Sequence, residues 1–366
     1  MLVKRLKCFK CGKTYPKDQV IFQCDKCGYS LELEYDYREI RKLVREENFY
    51  QTPVRHWKYW AFYPIQDLKN VVSFQEGGTP LMQSKKNKDY WFKFEGVNPT
   101  GVFKDRGSSV EITRAVELGV KKILCASTGN MGASLAAYAQ KAGIKAEIYL
   151  PGFASQAKAK QIKGYGAKIK MIKGSYDKAL NLTKKVRQKT GVYLTGDYPY
   201  RLEGQKSVGF EILDQLQWQS PKNIVCPIGN GTLIYAVYKG CLELKKTGFI
   251  KKIPRLIGVQ AKGCNPVVKA FKENNKEIKP VKNPKTIAGA INCGNPVDGL
   301  EALYALRQTN GLAENVSDKE IRAAKKELGL EGVYAETSSA ATLAAAKKLG
   351  LRGKTVLVIT GHGLKE

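Results

Sequence analysis

The chain has 366 residues, 43% hydrophobic content and a formal net charge of +29 at pH 7. This length exceeds one ordinary hydrophobic core and suits two domains, and the hydrophobic fraction excludes a disordered chain. No apolar stretch approaches the roughly 20 residues that span a bilayer, so we expect no membrane contact. The first eight residues lack the apolar core of a signal peptide, which predicts a cytoplasmic protein.

The positive charge is spread along the chain, in pairs such as Lys121-Lys122 and Lys251-Lys252, rather than gathered in one arm. Nucleic-acid binding is one interpretation of a basic surface, because lysine and arginine attract phosphates. The dispersed pattern favours the alternative, which is a solvated lysine surface with a small anionic substrate. We therefore do not expect nucleic acid as the partner.

Four of the nine cysteines form two C-x-x-C pairs near the N-terminus, Cys8 with Cys11 and Cys24 with Cys27. Two such pairs supply four thiolates to one tetrahedral Zn²⁺, and a closed four-cysteine site holds structure and performs no catalysis. Apolar runs at 20–22 and 31–33 predict small strands, giving a zinc-ribbon-like module over residues 1–35. A redox pair or unpaired core thiols are the alternatives.

After residue 97, strand-like apolar runs alternate with helical stretches. This alternation predicts an α/β fold with parallel-rich sheets flanked by helices. A basic, proline-containing stretch at 274–285 predicts a surface loop. The predicted strands are 123–125, 146–150, 167–172, 223–226, 255–260, 332–335 and 355–359, and the predicted helices are 132–142, 156–163, 176–188, 204–217, one from 233, and 338–349.

The first chemical motif is N-P-T-G-V-F-K-D-R-G at 98–107, in which a turn precedes Lys104 and a helical run follows it. A lysine at a helix start lies at the positive end of the helix dipole, which favours its neutral amine. A neutral amine can bond covalently to the carbonyl group of a cofactor. An ordinary surface lysine is the alternative, and the motif alone does not decide between them.

Three further motifs each follow a predicted strand with small polar residues or glycines. Such loops present backbone N–H groups or hydroxyls to an anion or a ring, although plain strand–helix turns can look the same. They comprise Ser127, Thr128 and Asn130 after the first strand, Gly229, Asn230, Gly231 and Thr232 after a later strand, and Thr360 after the last.

Together and in this order, the four motifs resemble those of the fold-type II pyridoxal phosphate (PLP) enzymes, and most closely the threonine synthase family. The segments E-G-G-T-P-L at 76–81 and R-L-E-G-Q-K at 201–206 are similar to segments of the same family. The resemblance covers nearly the whole chain. It implies PLP as cofactor and a reaction of O-phosphohomoserine with water that gives threonine and phosphate.

The resemblance also implies a role for each motif residue. Lys104 matches the catalytic lysine that bonds to PLP, Asn130 matches the ligand of its ring hydroxyl, and Thr360 matches the partner of its ring nitrogen. Gly229, Asn230, Gly231 and Thr232 match the loop that binds the cofactor phosphate. The substrate-binding positions are Ser127 and Thr128 near the carboxylate and Arg201, with Lys206 in the same segment, near the phosphate.

The sequence departs from the usual family pattern at four places. Val102 and the loop at 229–233 leave the cofactor assignment intact, whereas Met131 and the segment 195–199 carry fewer donors for a substrate phosphate. Cysteate synthase-like replacement on O-phosphoserine and threonine or serine dehydration therefore stay open as alternatives. A zinc-ribbon nucleic-acid-binding protein is the non-enzyme alternative.

The resemblance implies a division of the chain into the zinc-ribbon-like module at 1–35, a large PLP-binding domain from 36–95 and 205–366, and a small α/β domain at 96–204. It also leads us to expect a homodimer.

Overall fold

The computed structural model describes residues 2–46, 49–152, 154–174, 176–196 and 199–366. Among these residues, strands and helices alternate along most of the chain. In order they are β1 Val3–Cys8, β2 Thr14–Pro16, β3 Leu31–Tyr35, α1 Tyr37–Glu46, β4 Leu81–Gln83, β5 Tyr90–Phe94, α2 Lys104–Glu117, β6 Lys122–Ala126, α3 Asn130–Lys141, β7 Lys145–Pro151, α4 Gln156–Gly164, β8 Lys168–Ile172, α5 Tyr176–Thr190, β9 Tyr193–Leu194, α6 Pro199–Gln205, α7 Ser207–Gln215, β10 Asn223–Pro227, α8 Thr232–Thr247, β11 Arg255–Ala261, α9 Pro266–Lys272, α10 Gly299–Gln308, β12 Leu312–Val316, α11 Asp318–Leu330, α12 Thr337–Lys348 and β13 Thr355–Ile359.

The larger sheet has six strands in the order β12-β11-β10-β13-β5-β4. Its neighbouring strands run parallel except for β4, which pairs antiparallel with β5 at one edge. Every residue of β10 and β13 is buried. Parallel strands covered by helices on both faces must be apolar, which explains why these segments were recognisable in the sequence. The prediction of parallel-rich α/β sheets is confirmed.

The smaller sheet has four parallel strands in the order β8-β7-β6-β9, and it lies within residues 96–204. The larger sheet combines β4 and β5 with strands that begin at Asn223. The division of the chain into domains and its boundaries stay a prediction.

The N-terminal residues form a three-stranded antiparallel sheet in the order β2-β1-β3. The predicted strand at 31–33 lies within β3, but the predicted strand at 20–22 is wrong. Phe22 instead packs edge-on against Tyr193 of the small sheet, with 5.1 Å between ring centroids. Its apolar side chain is buried by this side-on contact, so no strand pairing is needed.

The predicted strand at 332–335 is also wrong. The backbone N–H of Val333 donates to the carbonyl of Leu328, and Gly332 has a φ of +82°, so this segment ends helix α11. Only Ala335 makes an isolated bridge, to His362. The predicted helix at 204–217 is two helices, α6 and α7, which are separated at Lys206.

No helix among the described residues is long and apolar enough to cross a membrane. The segment 274–285 contains neither helix nor strand, as the sequence indicated.

Candidate active site

Lys104 is the first residue of helix α2 and lines a cleft. The preceding turn is held by Asp105, whose carboxylate accepts hydrogen bonds from the Thr100 N–H at 2.7 Å and the Thr100 hydroxyl at 2.6 Å. Burial raises the pKa of Asp105 to about 6, although the bonds from Ser134 and Thr100 oppose this shift. The turn therefore fixes the lysine at the positive end of the helix dipole.

Three of the cleft's loops leave the carboxyl ends of parallel strands. Ser127 follows β6, Gly229 follows β10 and Thr360 follows β13. Ligands of α/β proteins commonly bind at this edge of a sheet. The Lys104 and Thr360 segments are also bonded directly, because the backbone N–H of Phe103 donates to the Thr360 carbonyl at 3.0 Å. Two motifs that lie more than 250 residues apart in the sequence therefore meet in the cleft.

Asn130 begins helix α3, and its amide is oriented by a carboxylate that the sequence analysis did not single out. Its Nδ2 donates to both oxygens of Glu336, at 2.8 and 3.0 Å. Glu336 is buried and also accepts from Lys158 Nζ at 2.9 Å. The buried Oδ1 of Asn130 has no hydrogen-bond partner among the described residues. The amide is thus held on one side and left with a free acceptor.

The glycine loop at 229–232 leads directly into the 16-residue helix α8. Gly231 has a φ of +99°, and a Cβ there would lie 2.3 Å from the carbonyl oxygen of Asp298. Glycine is therefore required at this position, since the backbone has no room for a side chain. Backbone N–H groups at the start of a long helix can bind an anion.

The hydroxyl of Thr360 lies 2.9 Å from the Ser339 hydroxyl, and either can donate to the other. Ser127 has a different task, because its Oγ accepts from the N–H groups of Gly129 and Gly132 at 3.0 and 2.8 Å. Ser127 therefore shapes the turn that precedes α3, and the adjacent Thr128 lines the cleft.

Arg201 is fully buried and is absent from the described lining of the cleft. Its guanidinium contacts Glu111 at 3.1 Å, and its Nη2 donates to the carbonyl of Lys104 at 3.1 Å. Nε has no partner among the described residues. Arg201 thus lies beside the lysine's backbone with one unused donor. In the nearby 195–199 segment, Asp197 and Tyr198 lie outside the described residues.

The structure does not bring Lys206 to the cleft. Its ammonium is fully buried between Glu203 and Glu243, at 2.5 and 2.8 Å, and stacks on Tyr35. The predicted substrate lysine is therefore part of an internal ion network. The residue just before it, Gln205, lines the cleft instead.

Gln205 and Glu336 are two of the cleft residues that were not predicted from the sequence. Neither amide atom of the fully buried Gln205 has a hydrogen-bond partner among the described residues. A signal for Gln205 existed, because it belongs to the R-L-E-G-Q-K segment. Glu336 follows the segment misassigned as a strand, and no motif marked it.

The cleft contains groups that match each polar part of PLP. The glycine loop offers N–H donors for a phosphate, Lys104 offers an amine, and Thr360 offers a hydroxyl. The unpartnered atoms of Asn130 and Gln205 indicate that a polar ligand completes the site, because buried polar groups are normally paired. The residues present therefore fit the cofactor.

The four N-terminal cysteines also come together. Their Sγ atoms all lie within 4.8 Å of one another, with Cys8 to Cys27 and Cys11 to Cys24 both at 3.5 Å. Gly12 and Gly28 have positive φ just after the two pairs, which lets each turn close around its sulfurs. Four thiolates at such spacing can hold a tetrahedral metal ion.

Comparison with known proteins agrees with this geometry. A family described as pyridoxal-phosphate dependent enzyme matches residues 72–361. A threonine synthase of Methanocaldococcus jannaschii is 44% identical over 98% of this chain and 92% of its own length. One from Methanosarcina acetivorans is 44% identical over 99% and 92%.

Solved structures of other proteins share the fold of this chain. Maize serine racemase gives a TM-score of 0.68 at 26% identity, covering 78% of this chain and 88% of its own. A threonine deaminase isoform from Solanum lycopersicum shares the fold, with a TM-score of 0.69 at 20% identity over 96% of this chain and 89% of its own. The chain therefore belongs to the pyridoxal-phosphate dependent enzyme family, and within it to the threonine synthases.

Proposed function

We propose that this enzyme converts O-phosphohomoserine and water to threonine and phosphate with PLP as cofactor. The observation that carries the proposal is the meeting of Lys104, the glycine loop and Thr360 in one cleft, in a chain related over nearly its whole length to threonine synthases. The bound cofactor supplies an electron-withdrawing ring that makes the α proton of the amino acid acidic.

Lys104 is the proposed catalytic residue. Its amine lines the cleft at the start of α2, where it would anchor the cofactor and then carry protons at the substrate's α and β carbons. The N–H groups at 229–232 bind the cofactor phosphate, with Asn230 and Thr232 at the cleft surface. Asn130 would orient the ring through its hydroxyl substituent, and Thr360 would bond to the ring nitrogen.

Arg201 is the proposed ligand of the substrate phosphate. It is a buried cation with an unused Nε donor, beside the backbone of Lys104. A guanidinium stabilises the negative charge of a departing phosphate. Thr128 and the turn fixed by Ser127 form the proposed carboxylate site. Lys206 is left out of the substrate site, because its ammonium is already paired with Glu203 and Glu243, whereas Arg201 keeps an unused donor.

Release of phosphate separates the candidate reactions. We expect phosphate and threonine from O-phosphohomoserine, and no phosphate from O-phosphoserine with or without sulfite. Sulfite-dependent phosphate release from O-phosphoserine would instead support the cysteate synthase-like reaction, and ammonia release from threonine would support a dehydratase. Salt-sensitive DNA binding without PLP would support the non-enzyme alternative.

We also propose that the cysteine cluster holds one structural Zn²⁺. Metal analysis of the purified chain should then give one zinc per molecule, and a Cys11→Ser, Cys27→Ser variant should contain none. A full complement of zinc in that variant would contradict the assignment. A homodimer and a cytoplasmic location remain part of the proposal.

A further inference from the structure

The cysteine module contacts the body of the enzyme next to the glycine loop. Three residues after Cys27, the hydroxyl of Ser30 donates to Oδ1 of Asp298 at 2.8 Å. Asp298 is only 4% exposed, while Ser30 is half-buried. The second cysteine turn therefore ends on a buried carboxylate of the large sheet's helical layer.

The same aspartate holds the glycine loop from the other side. Its backbone N–H donates to the carbonyl of Asn230 at 2.9 Å, and its Oδ2 accepts from the Thr232 hydroxyl at 2.6 Å. Its carbonyl oxygen occupies the space that a side chain at Gly231 would need. Asp298 thus contacts three consecutive residues of the loop proposed to bind the cofactor phosphate.

Tyr29 makes a second contact at the same place. Its hydroxyl donates to Glu301 at 2.9 Å and accepts from the N–H of Leu300 at 3.3 Å. Both partners belong to the first turn of α10, and Asp298 immediately precedes this helix. The end of the cysteine turn therefore fixes Asp298 through its carboxylate and through the helix that follows it.

We propose that the cysteine module positions the cofactor-phosphate loop through Ser30 and Asp298, so that metal in the cysteine cluster strengthens binding of the cofactor. Ser30 and Asp298 are positioning residues, since each acts through the loop. The inference rests on the proposed function, because it assumes that the loop binds a phosphate. Its physical basis is that a loop already fixed in its binding conformation loses less entropy when the ligand binds.

The first experiment compares Ser30→Ala, Ser30→Thr and wild type as full-length, zinc-loaded, cofactor-stripped proteins. The dissociation constant for PLP is measured from visible absorbance during titration. One lost hydrogen bond should weaken PLP binding about fivefold in Ser30→Ala. Ser30→Thr keeps the hydroxyl and should bind PLP with the wild-type affinity. Arg5→Ala, which removes an exposed ion pair of the same module, is the matched control and should bind PLP like wild type.

The second experiment removes and restores zinc. Chelation should weaken PLP binding in the wild type by at least the Ser30→Ala factor, and added Zn²⁺ should reverse the loss. The same treatment should have a smaller effect on Ser30→Ala, because the metal and the hydroxyl act through one path and their effects are not additive. At saturating PLP, Ser30→Ala should retain the wild-type KM for O-phosphohomoserine.

The outcomes separate this inference from the proposed function. A wild-type chain that binds no PLP would overturn both. A wild type that binds PLP, with Ser30→Ala equal to it or Arg5→Ala equally weakened, would overturn the coupling alone. Equal effects of chelation on Ser30→Ala and wild type would also overturn it.

Discussion

Helix α2 separates two polar regions that look alike in the sequence and differ in the structure. On one side is the cleft, where Asn130 and Gln205 carry buried atoms without partners among the described residues. On the other is an ion network in which Arg106 bonds to Glu95 and Glu211 at 2.6 to 2.8 Å. An unpaired buried polar atom costs free energy, so two unpaired amides that line one cleft indicate a place where a ligand binds. A fully paired group indicates a structural role.

The sharpest test of the comparison replaces the lysine that faces the cleft. Lys104→Ala should lose the visible absorbance of bound PLP, and threonine formation should fall by about 10² to 10⁴-fold, because one group provides both the anchor and the proton transfer. Its unfolding midpoint in urea should stay close to that of the wild type. Absorbance and activity that survive in Lys104→Ala would remove this residue from the catalytic role.

Lys206→Met should lower stability and leave activity unchanged, which is the opposite of the result expected for Lys104→Ala. It removes the cation between Glu203 and Glu243 and leaves buried negative charge behind, which should lower the free energy of unfolding by about 3–5 kcal/mol. Activity per folded molecule should be retained.

Urea denaturation and an assay corrected for folded protein measure the two effects of Lys206→Met. Lys245→Met, at an exposed position of α8, is the control and should change stability by less than about 0.5 kcal/mol. A stable but inactive Lys206→Met would return this lysine to the substrate site.

The ion network on the other side of α2 should also make the stability of the fold depend on pH. Burial lowers the pKa of His56 to about 4, and its Nδ1 lies 2.9 Å from the hydroxyl of Ser207, which also contacts Arg106. The imidazole of an unfolded chain has a pKa near 6.5, so the unfolded state takes up the proton first as the pH falls. The stability that neutral His56 provides is complete above about pH 6.5 and lost between there and pH 4, by about 3 kcal/mol.

Urea unfolding at pH 7 and pH 4 checks this loss. His56→Gln does not titrate in this range and should lose about 3 kcal/mol less than the wild type. Tyr63→Phe removes one hydrogen-bond partner of the ring but keeps the imidazole, so it should retain the wild-type pH dependence. Equal losses in wild type and His56→Gln would contradict the burial argument.

Local patterns were sufficient to predict most of the fold and the cleft's loops. The strand that ends before Ser127 and the turn before Lys104 depend on residues that are neighbours in sequence. The segments at 20–22 and 332–335 were misassigned because apolar residues there are buried by a side-on contact and by a helix end. Neither contact leaves a periodic pattern in the sequence.

The site residues that could not be predicted depend on the packing of distant helices. A Cβ at Gly204 would lie 2.1 Å from the carbonyl oxygen of Arg106, so helix α6 presses directly onto α2. This contact decides that Gln205 faces the cleft while Lys206 faces Glu203 and Glu243. The sequence of the segment does not show which of these two side chains faces the cleft. Only the three-dimensional packing of the helices decides this.

The smallest expected effect compares two glutamines, Gln205 at the end of α6 and Gln215 at the end of α7. Gln205→Met removes two unpaired buried polar atoms, so the cofactor-free protein should gain about 1 kcal/mol of stability. It should also weaken PLP binding or raise the KM for the substrate about fivefold, since the amide is then missing from the ligand site. Titration with PLP and steady-state kinetics show which ligand the amide contacts.

Gln215→Met is the matched variant for Gln205→Met. Its Oε1 accepts from Lys93 at 2.8 Å and its Nε2 donates to the carbonyl of Thr79 at 2.8 Å, so both amide atoms are already used. The substitution should cost about 1–2 kcal/mol of stability and leave PLP binding and KM unchanged. Opposite signs of the stability change in two glutamine-to-methionine variants would show that an unpaired amide marks the ligand side of α2. Destabilisation of both variants to the same extent would mean that the Gln205 amide is paired in solution, and the contrast between the two regions would then fail.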